Sequence, residues 1–225
     1  MPKKDIVEKG AILQRDRETY AIAPHTPGGF VDTATLRRIC DVADKYQIPA
    51  IKLTSAQRIA LLGIREEEID AIWAELDQRH GAPIGLCVRS VKICPGTEFC
   101  KRAVQDSVSL GLKVDALYHS MPLPNKAKFG ISGCLLSCSE THTKDIGMAG
   151  TAKGWRIMVG GNGGPKPRLA DILIDNVPDE ETVLEIVAKV VDFYKNYPNN
   201  ELRLGRIIDA MGIEAFRTAV LGDGK

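Results

Sequence analysis

Two short stretches, "CPGTEFC" at 94–100 and "SGCLLSC" at 132–138, hold four of the six cysteines in a chain of 225 residues. Their spacings are C-x5-C and C-x3-C. Four thiolates drawn from two loops can hold zinc or an iron–sulfur cluster. Structural zinc sites favour gaps of about two to four residues within a pair, so C-x5-C suits zinc poorly. The glycines and turns beside these cysteines leave backbone N–H groups to aim at inorganic sulfide. Cys94 also precedes a predicted helix, whose unpaired first amides favour a negatively charged group. Spacing therefore favours iron–sulfur, with zinc and buried unliganded thiols left open. The other two cysteines read as core: Cys40 on the apolar face of a helix, Cys87 in the strand-like "IGLCVRSV".

The charge pattern points the same way. Thirty basic and 29 acidic side chains leave a net charge of +1, which argues against a general nucleic-acid binder. Residues 89–128 nevertheless carry Arg89, Lys92, Lys101, Arg102, Lys113, Lys126 and Lys128 against three acids, a local +4 with −3 elsewhere. A basic segment around a cysteine cluster suits a small anion or an anionic cofactor, and a solvated face is the plainer reading. No apolar run reaches the length of a membrane helix, and the N-terminus has no signal core. Cytoplasm is the expectation, where thiols stay reduced.

The elements that must position these residues follow from pattern. "ETYAIAPH" (18–25) predicts a strand closed by "PGG", and Asp32 a helix N-cap before "TATLRRICDVADKYQ", with Leu36, Ile39, Cys40, Ala43 and Tyr46 inward. "AIKLTS" and "RIALLGI" predict two strands, and "EEEIDAIWAELDQRH" a helix burying Ile69, Ile72, Trp73 and Leu76. A second lobe begins near Gly81. There a helix is expected from about Thr97 through "FCKRAVQDSVSLGL", then strands at "NKAKFGIS", "KGWRIMVGG" and "RLADILI". "DEETVLEIVAKVVDFYKN" is the strongest amphipathic helix, and two shorter helices follow from Glu201.

The cysteine pattern, with "HTPGG", "IKLTSAQRIALLGI", "CVRSVKICPG", "LPNKAKFGISGC", "KDIGMAG" and "VGGNGG" in order, resembles the sirohaem-dependent sulfite and nitrite reductases over about residues 10–215. The resemblance implies an α+β fold. A ferredoxin-like half-domain would cover 1–80, a mixed α/β lobe for sirohaem and a [4Fe–4S] cluster 81–200, and a helical tail 201–225. It implies cluster ligation by Cys94, Cys100, Cys134 and Cys138, with Cys138 also the axial ligand of the sirohaem iron. Lys126 and Lys128 look like the family's paired active-site lysines, two apart on one strand face. Arg89 resembles its arginine upstream of the first cysteine pair.

The chain departs from the pattern in three places. His25 stands where larger members have an arginine, and could hydrogen-bond an anion. Ala56 replaces a second arginine, with Arg58 two residues on and so on the same face if the segment is a strand, where it would still reach the cofactor and, with Arg89, Lys126 and Lys128, hold the oxyanion. "CLLSC" replaces the usual Pro-Asn between the last two cysteines. "GGNGGPKPR" (160–168) lacks the Lys-Ser/Thr of a phosphate loop; the resemblance has Gly160, Gly161, Asn162 and Gly163 approach the macrocycle. The function implied is that of a small, single-copy, assimilatory-type sulfite reductase, or a nitrite reductase on the same site. An iron–sulfur electron-transfer protein without sirohaem is the alternative from another class. The implied substrate is sulfite or nitrite, with electrons from a separate donor protein and no nucleic-acid or membrane partner. Larger members contain two copies of this half around one sirohaem, so a homodimer is expected here.

Overall fold

A computed structural model describes residues 2–198 and 202–222, which divide after Gly85 into two units. The first carries, in chain order, β1 (Ile12–Leu13), β2 (Thr19–Ile22), α1 (Thr33–Lys45), β3 (Ala50–Leu53), β4 (Ile59–Arg65) and α2 (Ile69–Leu76). The strands form one antiparallel sheet in the order β1-β2-β4-β3. Asp32 caps α1 as expected, accepting the Thr35 N–H at 2.7 Å. Ile39, Val42 and Ala43 of α1 and Ile69, Ile72 and Leu76 of α2 pack with Tyr20, Ile22, Leu61 and Ile64 of the sheet. Trp73 is only partly buried, its indole N–H donating to the Lys9 carbonyl at 3.0 Å.

Cys40 corrects the expectation. It is exposed, and Leu36, one turn earlier, is 38% exposed. The two line the flank of α1, while Val42 takes the inward position assigned to Cys40.

The second unit runs β5 (Val88–Ile93), α3 (Gly96–Phe99), α4 (Ser107–Tyr118), β6 (Ala127–Ser132), β7 (Ile146–Thr151), β8 (Gly154–Val159), β9 (Asp171–Val177), α5 (Glu180–Asn196), α6 (Leu204–Met211) and α7 (Ile213–Leu221). Its five strands lie in sequence order, β5, β6 and β7 parallel, β8 and β9 antiparallel. The helix expected from Thr97 is broken in two. Asp106 accepts the N–H groups of Val108 and Ser109, both at 3.0 Å, and so starts α4 afresh.

Residues of α4 to α7, including Leu110, Val187, Ile207 and Phe216, share one core with Val91, Phe129, Ile131, Met148 and Ile157 of the sheet. The last two helices thus belong to this unit rather than to an appended tail. The first of them begins at Leu204, and the expected start, Glu201, lies outside the described residues.

Alternation sends Lys92, Lys128, Gly130, Ser132 and Gly147 to the face opposite that core. The chain after β6 folds back over this face. A Cβ on Gly147 would sit 2.2 Å from the Thr141 carbonyl oxygen, so glycine is what lets the 141–143 turn seat on β7. Gly147→Ala should therefore destabilise the second unit by about 1–3 kcal/mol, the usual range for overpacking. Denaturant unfolding checks this, and an alanine variant as stable as the parent would show that the turn is not seated there.

Candidate active site

The parallel register sets Ile93 opposite Ile131, so β5 and β6 end side by side. Cys94 leaves the first strand and Cys134 follows the second by two residues. The Cys94 N–H donates to the Ile131 carbonyl at 3.1 Å, and its buried Sγ accepts the Gly133 N–H at 3.1 Å. Ser107 Oγ lies 3.1 Å from the same sulfur and donates to the Cys94 carbonyl. The Gly133 carbonyl in turn accepts the N–H groups of Val104 and Gln105, at 2.8 and 3.1 Å. The segment bearing Cys100 is thereby drawn back to the exit of β6.

Cys100 and Cys134 are half-buried, Cys138 is exposed, and none of the four is in a disulfide. Among the described residues no three His, Cys, Asp or Glu side chains converge as a metal ion requires, so the thiols must turn toward one another to bind a cluster. The helix after Cys94, α3, is a single turn, which removes the helix-terminus argument made from the sequence.

The segment between Cys138 and β7 carries a set of charges with their partners. Lys92 and Lys144 are 7% and 5% exposed, and each donates to one oxygen of Glu140 at 2.7 Å. Hydrogen bonds from Lys144 and Lys92 hold the Glu140 carboxyl down at about 2. Asp145, with no exposed surface, accepts Nε and Nη2 of Arg203 at 2.7 and 2.8 Å and the Lys128 N–H at 2.8 Å. Burial pushes its carboxyl up against the pull of Arg203. Arg203 also donates to the side-chain oxygen of Asn162.

Lys128 is exposed, yet the protein packed around it and the like charges of Lys144 and Arg203 depress its ammonium below the usual lysine value. Lys126 stands one residue before β6 and is partly buried, as is Arg89 beside the register shift in β5.

The glycine loop closes on itself through paired Asn162 and Arg168 backbone bonds, both 2.8 Å. A Cβ on Gly161 would lie 2.6 Å from the Lys144 carbonyl oxygen, so this loop presses on the segment that follows Cys138. Gly163 is roomier, with nothing nearer than 3.8 Å.

In the first unit, Arg58 is not on a strand. It closes the β3–β4 turn, its carbonyl accepting the Thr54 N–H at 2.9 Å, so the alternation argument for its facing does not apply. Arg58 and His25 are 8% and 9% exposed, and Arg58 lies against Gly81. Sequence reasoning missed Glu140 and Arg203 entirely, met Lys144 and Asp145 only within the motif "KDIGMAG", and counted Lys92 only as local charge.

These residues fit the implied groups. Four free thiols, two of them at adjacent strand exits, are the number that a [4Fe–4S] cluster would need, one for each iron. Lys128, exposed on the face opposite the core, suits an anionic macrocycle or substrate. This is the set of thiols and cations that an iron–sulfur oxidoreductase acting on anions would need.

The comparisons sharpen this. Residues 84–224 match the nitrite and sulphite reductase 4Fe-4S domain, and residues 12–79 the nitrite/sulfite reductase ferredoxin-like half domain. The chain is 42% identical over 214 residues to an assimilatory-type sulfite reductase of Nitratidesulfovibrio vulgaris, covering 95% of this chain and 98% of that protein. It is 36% identical to the nitrite reductase [NAD(P)H] of Bacillus subtilis, covering 95% of this chain but only 26% of the relative. Among solved structures, dissimilatory sulfite reductase I superposes with a TM-score of 0.81 at 17% identity, over 92% of this chain and 70% of the other. The NirA protein of Mycobacterium tuberculosis superposes with a TM-score of 0.78 at 24% identity, over 90% and 39%. The last two show the fold.

The chain belongs to the nitrite and sulphite reductase family. Its α+β fold, its oxidoreductase class and its cofactors, sirohaem and a [4Fe–4S] cluster, follow from that membership.

Asp145 is the buried link between Arg203 and β6. Asp145→Asn would leave the guanidinium, whose side chain is 16% exposed, without its carboxylate. Breaking a buried pair this way costs about 3–5 kcal/mol, which urea unfolding of the second unit would read. A loss under about 1 kcal/mol would mean that water replaces the partner.

Proposed function

We propose that the chain reduces sulfite to sulfide, taking sulfur from +4 to −2 with six electrons and six protons per bisulfite and releasing three waters. The observation that carries this reading is the match over almost the whole length of both proteins to an assimilatory-type sulfite reductase. Nitrite is the second substrate to consider, since several relatives are nitrite reductases and the same cations suit either anion.

Cys94, Cys100, Cys134 and Cys138 would hold the cluster, with Cys138 shared with the sirohaem iron. When bound, these groups supply the iron that takes the anion and the route by which electrons arrive singly. The protein's own part is electrostatic and acid–base. Lys126, Lys128 and Arg89 hold the oxyanion by charge-assisted hydrogen bonds. Its ammonium lowered from the ordinary lysine value, Lys128 is suited to give a proton to a departing oxygen.

On the family resemblance alone, Arg58 is assigned to the oxyanion and to cofactor carboxylates, and His25 to cofactor carboxylates. Gly160, Gly161, Asn162 and Gly163 are assigned on the same ground, supported by the contact of this loop with the chain beyond Cys138. Electrons come from a separate donor protein, and the reading places the enzyme in the cytoplasm.

The proposal extends to a twofold homodimer. Lys128 begins β6 and Cys134 lies beyond its end. Six residues of extended chain span up to about 20 Å, more than a lysine side chain reaches. One chain's lysines therefore suit a partner's cofactor better than their own.

Lys126→Ala with Lys128→Ala should lower sulfite turnover on the order of 10²–10³ fold while leaving the cluster assembled. Activity within about twofold of the parent would make these lysines surface residues, since each oxyanion contact is worth far more. Cys138→Ser should disturb both centres, and Cys40→Ser neither. Mixing the lysine double variant with Cys138→Ser should restore one intact site per dimer and some activity. A monomeric mass by light scattering for the active enzyme, or inactivity of every mixed pair, would sink the shared-site arrangement.

A further inference from the structure

Three buried or anchored side chains tie the two cysteine-bearing segments together, and the assigned chemistry gives them no role. Lys92 lies on β5 two residues before Cys94, and Glu140 lies two residues after Cys138. One carboxylate oxygen of Glu140 accepts from Lys92 and the other from Lys144, each at 2.7 Å. Both lysines are more than nine-tenths buried. Cys138 itself is exposed, but its neighbours are fixed. The Ser139 N–H donates to Ser132 Oγ at 3.0 Å, and its hydroxyl to the Ile131 carbonyl at 2.8 Å. Ser137 Oγ accepts the Thr141 N–H at 2.9 Å.

Two residues of this loop, Ser137 and Glu140, hold left-handed backbone at φ of 56° and 58°. That conformation is unfavourable for side-chain-bearing residues and persists only where the surroundings enforce it. Gly130 makes room beneath: a Cβ there would meet the Ser139 carbonyl oxygen at 2.8 Å and Lys144 Cγ at 2.9 Å.

We propose that Lys92, Glu140 and Lys144 form a charged staple that positions the Cys138 loop against β5 and sets the reduction potential of the cluster. Two ammonium groups against one carboxylate leave the staple net positive. The Arg203–Asp145 pair, which lies at the start of β6 beside Lys128, is neutral. Buried charges are screened far less than exposed ones, and net charge near a cluster is one of the terms that set its potential. Reduction adds an electron, so the staple favours the reduced cluster. None of the three touches the reacting anion in this account; they act through the cysteine loop and through the field.

The inference rests on the reading that the four cysteines hold the cluster, and the test separates the two. The purified holoenzyme is assayed for iron and then titrated, with the cluster followed by electron paramagnetic resonance. Glu140→Gln removes the carboxylate charge at nearly constant shape, and its cluster should titrate at a less negative potential than the parent. Lys92→Met and Lys144→Met each remove a positive charge, and their clusters should titrate at more negative potentials. A merely structural staple would lower iron content in all three without this reversal of sign. Three variants with the parent potential, or with shifts in one direction, would overturn the proposal. If one methionine variant fails to fold, the other carries the same expectation. A parent enzyme that holds no cluster would instead overturn the ligand assignment itself.

Discussion

The parallel pairing of β5 with β6 puts Ile93 opposite Ile131, and with it the two strand exits that carry the four site cysteines. Parallel strands need a crossover, and α4 supplies it, with Leu110, Val114 and Tyr118 packed against the sheet. The same pairing puts Lys92 and Lys128 on the face opposite the core. Cysteine pairs 34 residues apart in sequence, from Cys100 to Cys134, become neighbours for this reason. Remove the register and neither the thiols nor the cations have a common location.

That face asks the protein to bury charge, which is costly unless each ion is paired and hydrogen-bonded. Asp145 meets the cost with two guanidinium bonds and one backbone N–H, and the buried Lys92 and Lys144 meet it through Glu140, whose own side chain is 53% exposed. Small residues make the close approaches possible. Gly130, Gly133, Gly147 and Gly161 each have a carbonyl oxygen within 2.2–2.8 Å of where a Cβ would stand. The loop bearing Cys134 and Cys138 is therefore held by backbone contacts at bare positions and by ion pairs at charged ones. Its exposed leucines, Leu135 and Leu136 at 48% and 59%, make no part of that anchorage.

Much of this was legible in the sequence where the determinants are local. The Asp32 cap, the strands β2, β3 and β4, the inward face of α2 and the whole of α5 follow from short-range pattern, as does the pairing of cysteines by spacing. The misses have local causes as well. β7 reads "IGMAGT", with two glycines and little β-branching, so it carries no strand signal of its own. Asp106 was passed over as a cap inside an apparently continuous helix. Arg58 was placed on a strand because the turn from Thr54 resembles extended sequence. Cys40 was put inward by a periodicity that Val42 satisfies better. The ion pairs of the site were not legible at all. Lys92 and Glu140 are 48 residues apart, and Asp145 and Arg203 are 58. Such partners leave no pattern in a window of any useful length.

The central claim is that this one chain carries both a [4Fe–4S] cluster on its four cysteines and a sirohaem. The absorption spectrum of the purified protein, read with its iron content, tests it most directly. The account predicts a Soret band and a red band from sirohaem, together with iron enough for a cluster and a haem. A broad brown shoulder alone would leave an electron-transfer protein without sirohaem, and a colourless protein holding zinc would contradict the account outright.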